Sequence, residues 1–203
     1  MLTLYHGANT RSSRIIQLLI EMDVLDRVDV RTVGLVRQGN VGAPDPANPH
    51  PEGKVPFLDH DGTLIRESNA IVQYLTDHFA SPMGMQIGDA RRGSYLSWLA
   101  YYGNVVEPVL IGLVAEIDHP VFHITFRGPQ EIYTHLGETL SERPFLLGDD
   151  FTAADLIMVS PFQFMPDFAP DIPQVKEWID RCLARPSVKA MKEYDANLME
   201  AVG

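Results

Sequence analysis

A single cysteine, Cys182, stands among the 203 residues. One thiol excludes an internal disulfide and any Cys-x-x-Cys redox pair, and such scarcity fits a reducing cytoplasm. Basic residues are also few: 16 Lys and Arg against 27 Asp and Glu give a formal net charge of −11. A surface that acidic repels phosphate backbones and anionic membranes, so neither nucleic acid nor membrane is an expected partner. No apolar run approaches the ~20 residues of a membrane span. No basic segment followed by an apolar one opens the chain, so a cytoplasmic location is expected. Internal repeats and low-complexity tracts are missing as well. The remaining composition, 45% hydrophobic and 21% charged, is that of a globular chain able to bury one large or two small cores.

The first half reads as mixed α and β. Met1 to Tyr5 alternates apolar and polar residues as a short strand does. His6 to Thr10 is a loop, and Ile15, Ile16, Leu18, Leu19 and Met22 have helical spacing over about Ser12–Met22. The hydroxyls of Thr10, Ser12 and Ser13 therefore cluster where a strand turns into a helix. Val28–Val36 alternates well and predicts a second strand, and Gln38–Pro51, rich in Gly, Pro and Asn, a loop with room for one short helical turn. Glu52–Ser68 is denser in signals. Pro56 opens the apolar run Pro56-Phe57-Leu58, as proline can at the first residue of a strand. Asp61-Gly62 supplies the positive φ of a hairpin. Ser68 stands at a helix start, beside Glu67, ahead of a helix reaching about Phe79.

Ala80–Gly88 holds a proline and two glycines with no periodicity and reads as a linker. Everything beyond it reads as helical. One long segment covers Asp89–Ala115, with Pro108 expected to kink or split it. A helix follows at Gln130–Ser141, another is opened by Thr152 and Asp155 as a capping pair, one runs through Trp178, and a last one covers Ser187 to about Met199. His119 and His123 are four apart and could share a metal on one helical turn, but Pro120 stands between them without a clear third ligand, so no metal is expected. Cys182, within Ile179-Asp180-Arg181-Cys182-Leu183, reads as a small core residue.

Gly53-Lys54-Val55-Pro56, Glu67-Ser68-Asn69-Ala70-Ile71 and Phe151-Thr152-Ala153-Ala154-Asp155, with Leu4-Tyr5-His6 and Thr10-Arg11-Ser12-Ser13-Arg14 before them, resemble the glutathione transferase superfamily, in its bacterial type, over essentially the whole chain. The resemblance implies a thioredoxin-like α/β domain at residues 1–79 (βαβ-ββα, a mixed four-stranded sheet), a linker at 80–88 and an all-helical domain at 89–203. It also implies a cytosolic homodimer with glutathione as co-substrate. Pro56 would be the family's cis-proline, turning the Val55 N–H and C=O toward the cysteinyl backbone of glutathione in the manner of an added strand. Lys54 would lie near the same peptide. Glu67 would accept from the γ-glutamyl ammonium, and Ser68 would take the γ-glutamyl carboxylate at a helix N-terminus.

The chemistry such a site must do is to stabilise a thiolate. Lowering a thiol pKa of ~8.5 by two units needs roughly 2.7 kcal/mol. One hydroxyl donor to a charged acceptor (~1.5–3 kcal/mol) with a helix N-terminus (~0.3–1 kcal/mol) supplies it. Thr10 sits where related classes place serine or cysteine, Ser12 is the next candidate and Tyr5 the third, with Arg11 able to assist electrostatically. Tyr101 and Tyr102 lie on the long helix that in this family faces the electrophile pocket, though either equally fits a core or interface role. The expected activity is conjugation of glutathione to small hydrophobic electrophiles. The same site could instead serve a glutathione-dependent disulfide reductase or peroxidase, and a non-catalytic interaction module of transferase-like fold is the third reading.

Overall fold

The computed structural model describes residues 1–36 and 42–202; part of the loop expected at Gln38–Pro51 lies outside them, and residues 42–51 hold turns and no helix. The chain divides into two compact units, Met1–Ser81 with the segment from Arg185, and Pro82–Ala184.

The first unit runs β1 (Leu2–His6), α1 (Ser13–Glu21), β2 (Asp29–Thr32), β3 (Phe57–His60), β4 (Thr63–Ile65) and α2 (Ser68–His78), and regains α9 (Pro186–Val202) from the end of the chain. The strands form one mixed sheet in the order β2-β1-β3-β4, with β1 parallel to β2 and antiparallel to β3, and β3 antiparallel to β4. This is the thioredoxin-like sheet that the sequence predicts. β1 is buried along its whole length. Leu4 on one of its faces belongs with Ile15, Ile16, Leu18, Leu19, Leu58, Ile71 and Leu75, all inaccessible to solvent. Tyr5, on the other face, packs with Val33 and Phe57. β2 is shorter than the predicted Val28–Val36. Its partner β1 ends at His6, and after a last bond from Val33 N–H to the His6 carbonyl (2.9 Å) the chain is turned aside, Gly34 N–H donating to Asp45 (2.9 Å).

The second unit is all-helical: α3 (Arg92–Tyr101), α4 (Glu107–Val114), α5 (Pro120–Phe126), α6 (Pro129–Ser141), α7 (Ala153–Phe164) and α8 (Pro173–Leu183). The long segment expected over Asp89–Ala115 is interrupted just ahead of Pro108, as α3 and α4 joined by a wide π-type turn at Tyr102–Val106. Pro108 directly follows that turn, at the second position of α4. Thr152 and Asp155 form the expected capping box at the start of α7. The Asp155 carboxylate also accepts from Leu146 N–H and Trp178 Nε1, each at 2.9 Å, so it ties α7 to α8 and is a structural group, not a site. Cys182 is buried in the helical core.

α9 packs against α1, for two reasons visible in the chain. Val188, Met191 and Asp195 fall on one buried stripe at helical spacing. Ahead of them, Arg185 grips Glu21 through Nε (2.6 Å) and a terminal nitrogen (2.7 Å), and Ser187 donates to the same carboxylate. Glu21 closes α1, where the helix dipole disfavours a negative charge, so the Arg185 guanidinium offsets both the dipole and the partial burial. Burial pushes the Glu21 carboxyl up, but the Arg185 and Ser187 hydrogen bonds outweigh it and hold it below its ordinary 4.5.

A carboxyl whose folded pKa is depressed stabilises the fold above its unfolded pKa, and that contribution is lost as pH falls through the folded value. The melting temperature should therefore hold level above about pH 5 and decline below it. Glu21→Gln should lower stability at neutral pH by about 1.5–3 kcal/mol and flatten the acid decline, read by thermal denaturation across pH. An unchanged pH slope in the variant would remove Glu21 as the source.

Candidate functional site

The sheet topology gathers three loops at one edge. β3 opens opposite the end of β1, with Phe57 paired to Tyr5, so Val55 and Pro56 lie beside the exit of β1. β4 runs back along β3 until Ile65 faces Leu58, so Arg66, Glu67 and Ser68 emerge at the same edge. The β1–α1 loop, which carries Thr10, starts there too. Gly7 in that loop lies against Leu35 and Val55.

The Val55–Pro56 peptide bond is cis. Pro56 is buried and Val55 half-buried. Among the described residues neither the N–H nor the C=O of Val55 has a backbone partner, which leaves a short open strand edge. The approach to it is built by residues that the sequence reading passed over as loop. Asn48 Oδ1 accepts from His50 N–H (3.0 Å) and its Nδ2 donates to the Lys54 carbonyl (3.2 Å). His50 Nδ1 accepts from Glu52 N–H (3.0 Å), and its ring meets Phe57 edge-on at 4.9 Å. Burial, against the pull of Glu52, pushes the His50 imidazole down, which suits an acceptor nitrogen. Lys54 is exposed and paired with Glu52 at 2.6 Å.

At the start of α2, Glu67 occupies φ 69°, ψ 125°, a conformation disfavoured for any residue with a Cβ. The helix ladder begins with Ile71 N–H to the Glu67 carbonyl (3.0 Å). The preceding N–H groups, Ser68 among them, thus lie outside it at the positive end of the dipole. Glu67 is exposed and Ser68 half-buried, so a carboxylate and an anion-binding helix start stand side by side.

The β1–α1 loop separates the three hydroxyl candidates. Tyr5 is enclosed, 7% exposed, with its ring 6.1 Å from Phe57 and its hydroxyl next to Arg31. Ser12 is fully buried, and its Oγ accepts from Gly7 N–H (3.0 Å) and lies 2.7 Å from His6 Nδ1. Both side chains are therefore enclosed. Thr10 is half-buried. Its Oγ1 donates to the Gly7 carbonyl (2.7 Å), accepts from Ser12 N–H (3.1 Å) and lies 2.8 Å from Ser12 Oγ, just ahead of the N-terminus of α1.

Behind Thr10 lies a buried cluster that the sequence reading missed. His6 Nε2 lies 3.1 Å from Asp195 Oδ1, and Asp195 Oδ2 accepts from Asn9 N–H (2.7 Å) and Ser13 Oγ (2.5 Å). Burial pushes the Asp195 carboxyl up, but the bonds from His6, Ser13 and Asn9 outweigh it and hold it below its ordinary 3.8. One signal was present in the sequence. Asp195 is an acid on the apolar stripe of Val188 and Met191, where an unpartnered charge would be costly.

The remaining candidates belong to the second unit. Tyr102, 2% exposed, is enclosed, as the core role open to it in the sequence requires. Tyr101 is half-buried beside Trp98 and His135, with ring centroids 6.0 and 5.5 Å away. Burial, with Glu131 second, pushes its phenol up, so it stays protonated at neutral pH. His119 caps α5 through Nδ1 rather than pairing with His123, and no cluster of three potential metal ligands occurs among the described residues.

Two family models match: the glutathione S-transferase N-terminal domain over residues 25–83 and the C-terminal domain over 102–186. A trimodular acetylaranotin synthesis protein of Aspergillus terreus is 32% identical over 71% of this chain, which spans only 16% of that much longer protein. Glutathione S-transferase 2 of Schizosaccharomyces pombe is 28% identical over 74% of this chain and 78% of its own. Among solved structures, a sphingomonad glutathione S-transferase complexed with glutathione aligns at a TM-score of 0.75 and 23% identity, covering 96% of this chain and 98% of that one. Both halves of the chain thus match one family in the order that the sequence motifs predict, and the protein belongs to the glutathione transferase superfamily.

Proposed function

We propose that the protein binds glutathione at the edge shared by the β1–α1 loop, the cis-proline loop and the start of α2. It would lower the pKa of the bound thiol and add the thiolate to small hydrophobic electrophiles. The observation that carries this reading is the convergence of three complementary features at one sheet edge. The unpaired Val55 peptide groups suit the cysteinyl backbone of glutathione. Exposed Glu67 suits its ammonium, and Ser68 at the N-terminus of α2 suits its γ-glutamyl carboxylate. Lys54 adds a cation beside the same peptide. Glutathione bound to a sphingomonad transferase of the same fold supports it as co-substrate.

Held there, the cysteinyl sulfur meets the Thr10 hydroxyl and the positive end of α1. Thr10 is the hydroxyl of the three that is not enclosed, and a single donor to a charged acceptor contributes about 1.5–3 kcal/mol. Catalysis then consists of orienting a nucleophile and stabilising its charge. Tyr101 is the aromatic proposed for the electrophile pocket. The protein is further proposed to act as a cytoplasmic homodimer, the state expected of its family.

Retention on immobilised glutathione, followed by assay with a chloronitrobenzene, tests the reading. Turnover of the aromatic chloride is expected. Retention with only disulfide or peroxide turnover would transfer the site to the reductase reading. A protein that neither is retained nor gains melting temperature at millimolar glutathione would end both.

Thr10→Ala should lower kcat roughly 10- to 100-fold with little change in KM for glutathione, because the donor acts on the charged sulfur. Ser68→Ala should raise that KM about tenfold and leave kcat nearly unchanged. Steady-state kinetics of the two variants distinguishes these roles, and wild-type turnover in Thr10→Ala would remove the threonine from the chemistry.

A further inference from the structure

We infer that His6, Ser12 and Asp195 are positioning residues that form a buried proton relay behind Thr10, and that the proton leaving the glutathione thiol is kept inside the protein on His6. The inference rests on the reading that glutathione places its sulfur at Thr10. It adds where the proton goes.

The chain of contacts is continuous. Thr10 Oγ1 lies 2.8 Å from Ser12 Oγ, Ser12 Oγ 2.7 Å from His6 Nδ1, and His6 Nε2 3.1 Å from Asp195 Oδ1. Ser12 and His6 are inaccessible to solvent and Asp195 is 2% exposed, so the relay meets water only at its Thr10 end. Three donors, His6 Nε2, Asn9 N–H and Ser13 Oγ, converge on Asp195 and keep it ionised. An ionised acceptor at Nε2 places the imidazole proton there, and Nδ1 becomes an acceptor. The donor facing Nδ1 is the Ser12 hydroxyl, so Ser12 donates inward while its oxygen accepts from Gly7 N–H. Tyr194, edge-on to His6 at 5.9 Å, is the other titratable group against the ring. Burial first, and Asp195 second, push its phenol up, so it brings no charge at neutral pH.

When the thiol ionises, its S–H bond breaks and the proton passes to Thr10 Oγ1. The Thr10 hydroxyl turns from the Gly7 carbonyl to Ser12 Oγ and passes its own proton there, and the Ser12 proton passes to His6 Nδ1. The products are a thiolate, two neutral hydroxyls and an imidazolium facing the Asp195 carboxylate. No proton leaves the protein and nothing is oxidised. The proton now on Thr10 points at the sulfur, while His6 Nδ1–H donates to Ser12 and frees the Ser12 proton for the Gly7 carbonyl, 3.0 Å away. That carbonyl, the acceptor of Thr10 in the free site, is thus satisfied while Thr10 serves the thiolate. Moving a proton from a thiol to an imidazole is uphill by about two pH units in water. The Asp195 carboxylate faces the imidazolium at Nε2 once it forms, and the Thr10 donor faces the thiolate.

Calorimetric titration of the whole protein with glutathione, in two buffers of different protonation enthalpy at neutral pH, counts the protons released. Titration with S-methylglutathione subtracts protons not owed to the thiol, and ultraviolet thiolate absorbance counts the anion formed. For wild type, thiolate absorbance with little thiol-linked proton release is expected. His6→Gln, which keeps a hydrogen-bonding side chain but takes up no proton, should either release one proton per thiolate or form several-fold less thiolate, with kcat reduced and KM for glutathione little changed. Wild-type thiolate formed with one proton released to the buffer would overturn the relay and leave the role of Thr10 standing. Binding without thiolate in wild type would overturn the role of Thr10 itself. Both outcomes are read on the unmodified protein, so neither depends on a variant folding.

Discussion

The first unit depends on one buried carboxylate. Asp195 comes from the last helix of the chain, yet its three donors come from the first thirteen residues: His6 at the end of β1, Asn9 in the loop and Ser13 at the start of α1. A buried charge with its donors removed costs several kcal/mol, and buried donors without an acceptor are costly in turn. An apolar residue at 195 would preserve the stripe of Val188 and Met191 but strand an imidazole N–H, a backbone N–H and a hydroxyl. The carboxylate and the loop therefore require one another. That mutual requirement fixes the path of the chain from His6 to Ser13, and with it the position of Thr10. Glu21, Arg185 and Ser187 secure the far end of the same contact, so α9 is pinned to α1 by polar groups at two separate heights.

Sheet order does the rest. Because β3 is antiparallel to β1 and β4 is antiparallel to β3, the entry to β3 and the exit from β4 fall at the edge where β1 ends. Peptide recognition and charge stabilisation can then be divided among three short loops, each carried by a rigid element. The β1–α1 loop is tied to the buried Asp195 cluster. The other two present what is open: a backbone edge at Val55, and a helix start with a strained Glu67 in front of it. A residue held at φ 69° needs surrounding structure to keep it there. The reward on the proposed reading is a carboxylate turned to the same side as the helix N-terminus.

Much of this could be read from the sequence. Hydrophobic period distinguishes the strand Met1–Tyr5 from the helix after it, Asp61-Gly62 marks the hairpin, and Thr152 with Asp155 marks a helix start, because each is a local rule. What was not legible depends on distance along the chain. Nothing near Asp195 announces that its partners lie more than 180 residues earlier. The alternation that continued past Thr32 carried no information that β1 would end at His6 and close the ladder there. Tyr102 looks like its neighbour Tyr101 in any window of sequence, and only packing separates a core ring from a half-exposed one. Ser12 and Thr10 differ in the same way. Both are hydroxyls at a helix start, and the fold encloses one and leaves the other at the rim.

That difference also gives a physical reason for a threonine at position 10. A serine hydroxyl there could swing among three rotamers, and each donor it offered would cost the entropy of fixing it. Threonine is stiffer at χ1, and its Oγ1 is held by Ser12 N–H and by the Gly7 carbonyl in the one direction that also faces Ser12 Oγ. Its proton alone remains free to choose between acceptors. On the proposed reading a thiolate competes for that proton with a neutral carbonyl, and a charged acceptor binds a donor roughly twice as strongly as a neutral one. Exchange of one acceptor for the other thus requires no movement of heavy atoms in the loop. On that reading the groups that stabilise the anion are already in place when it forms.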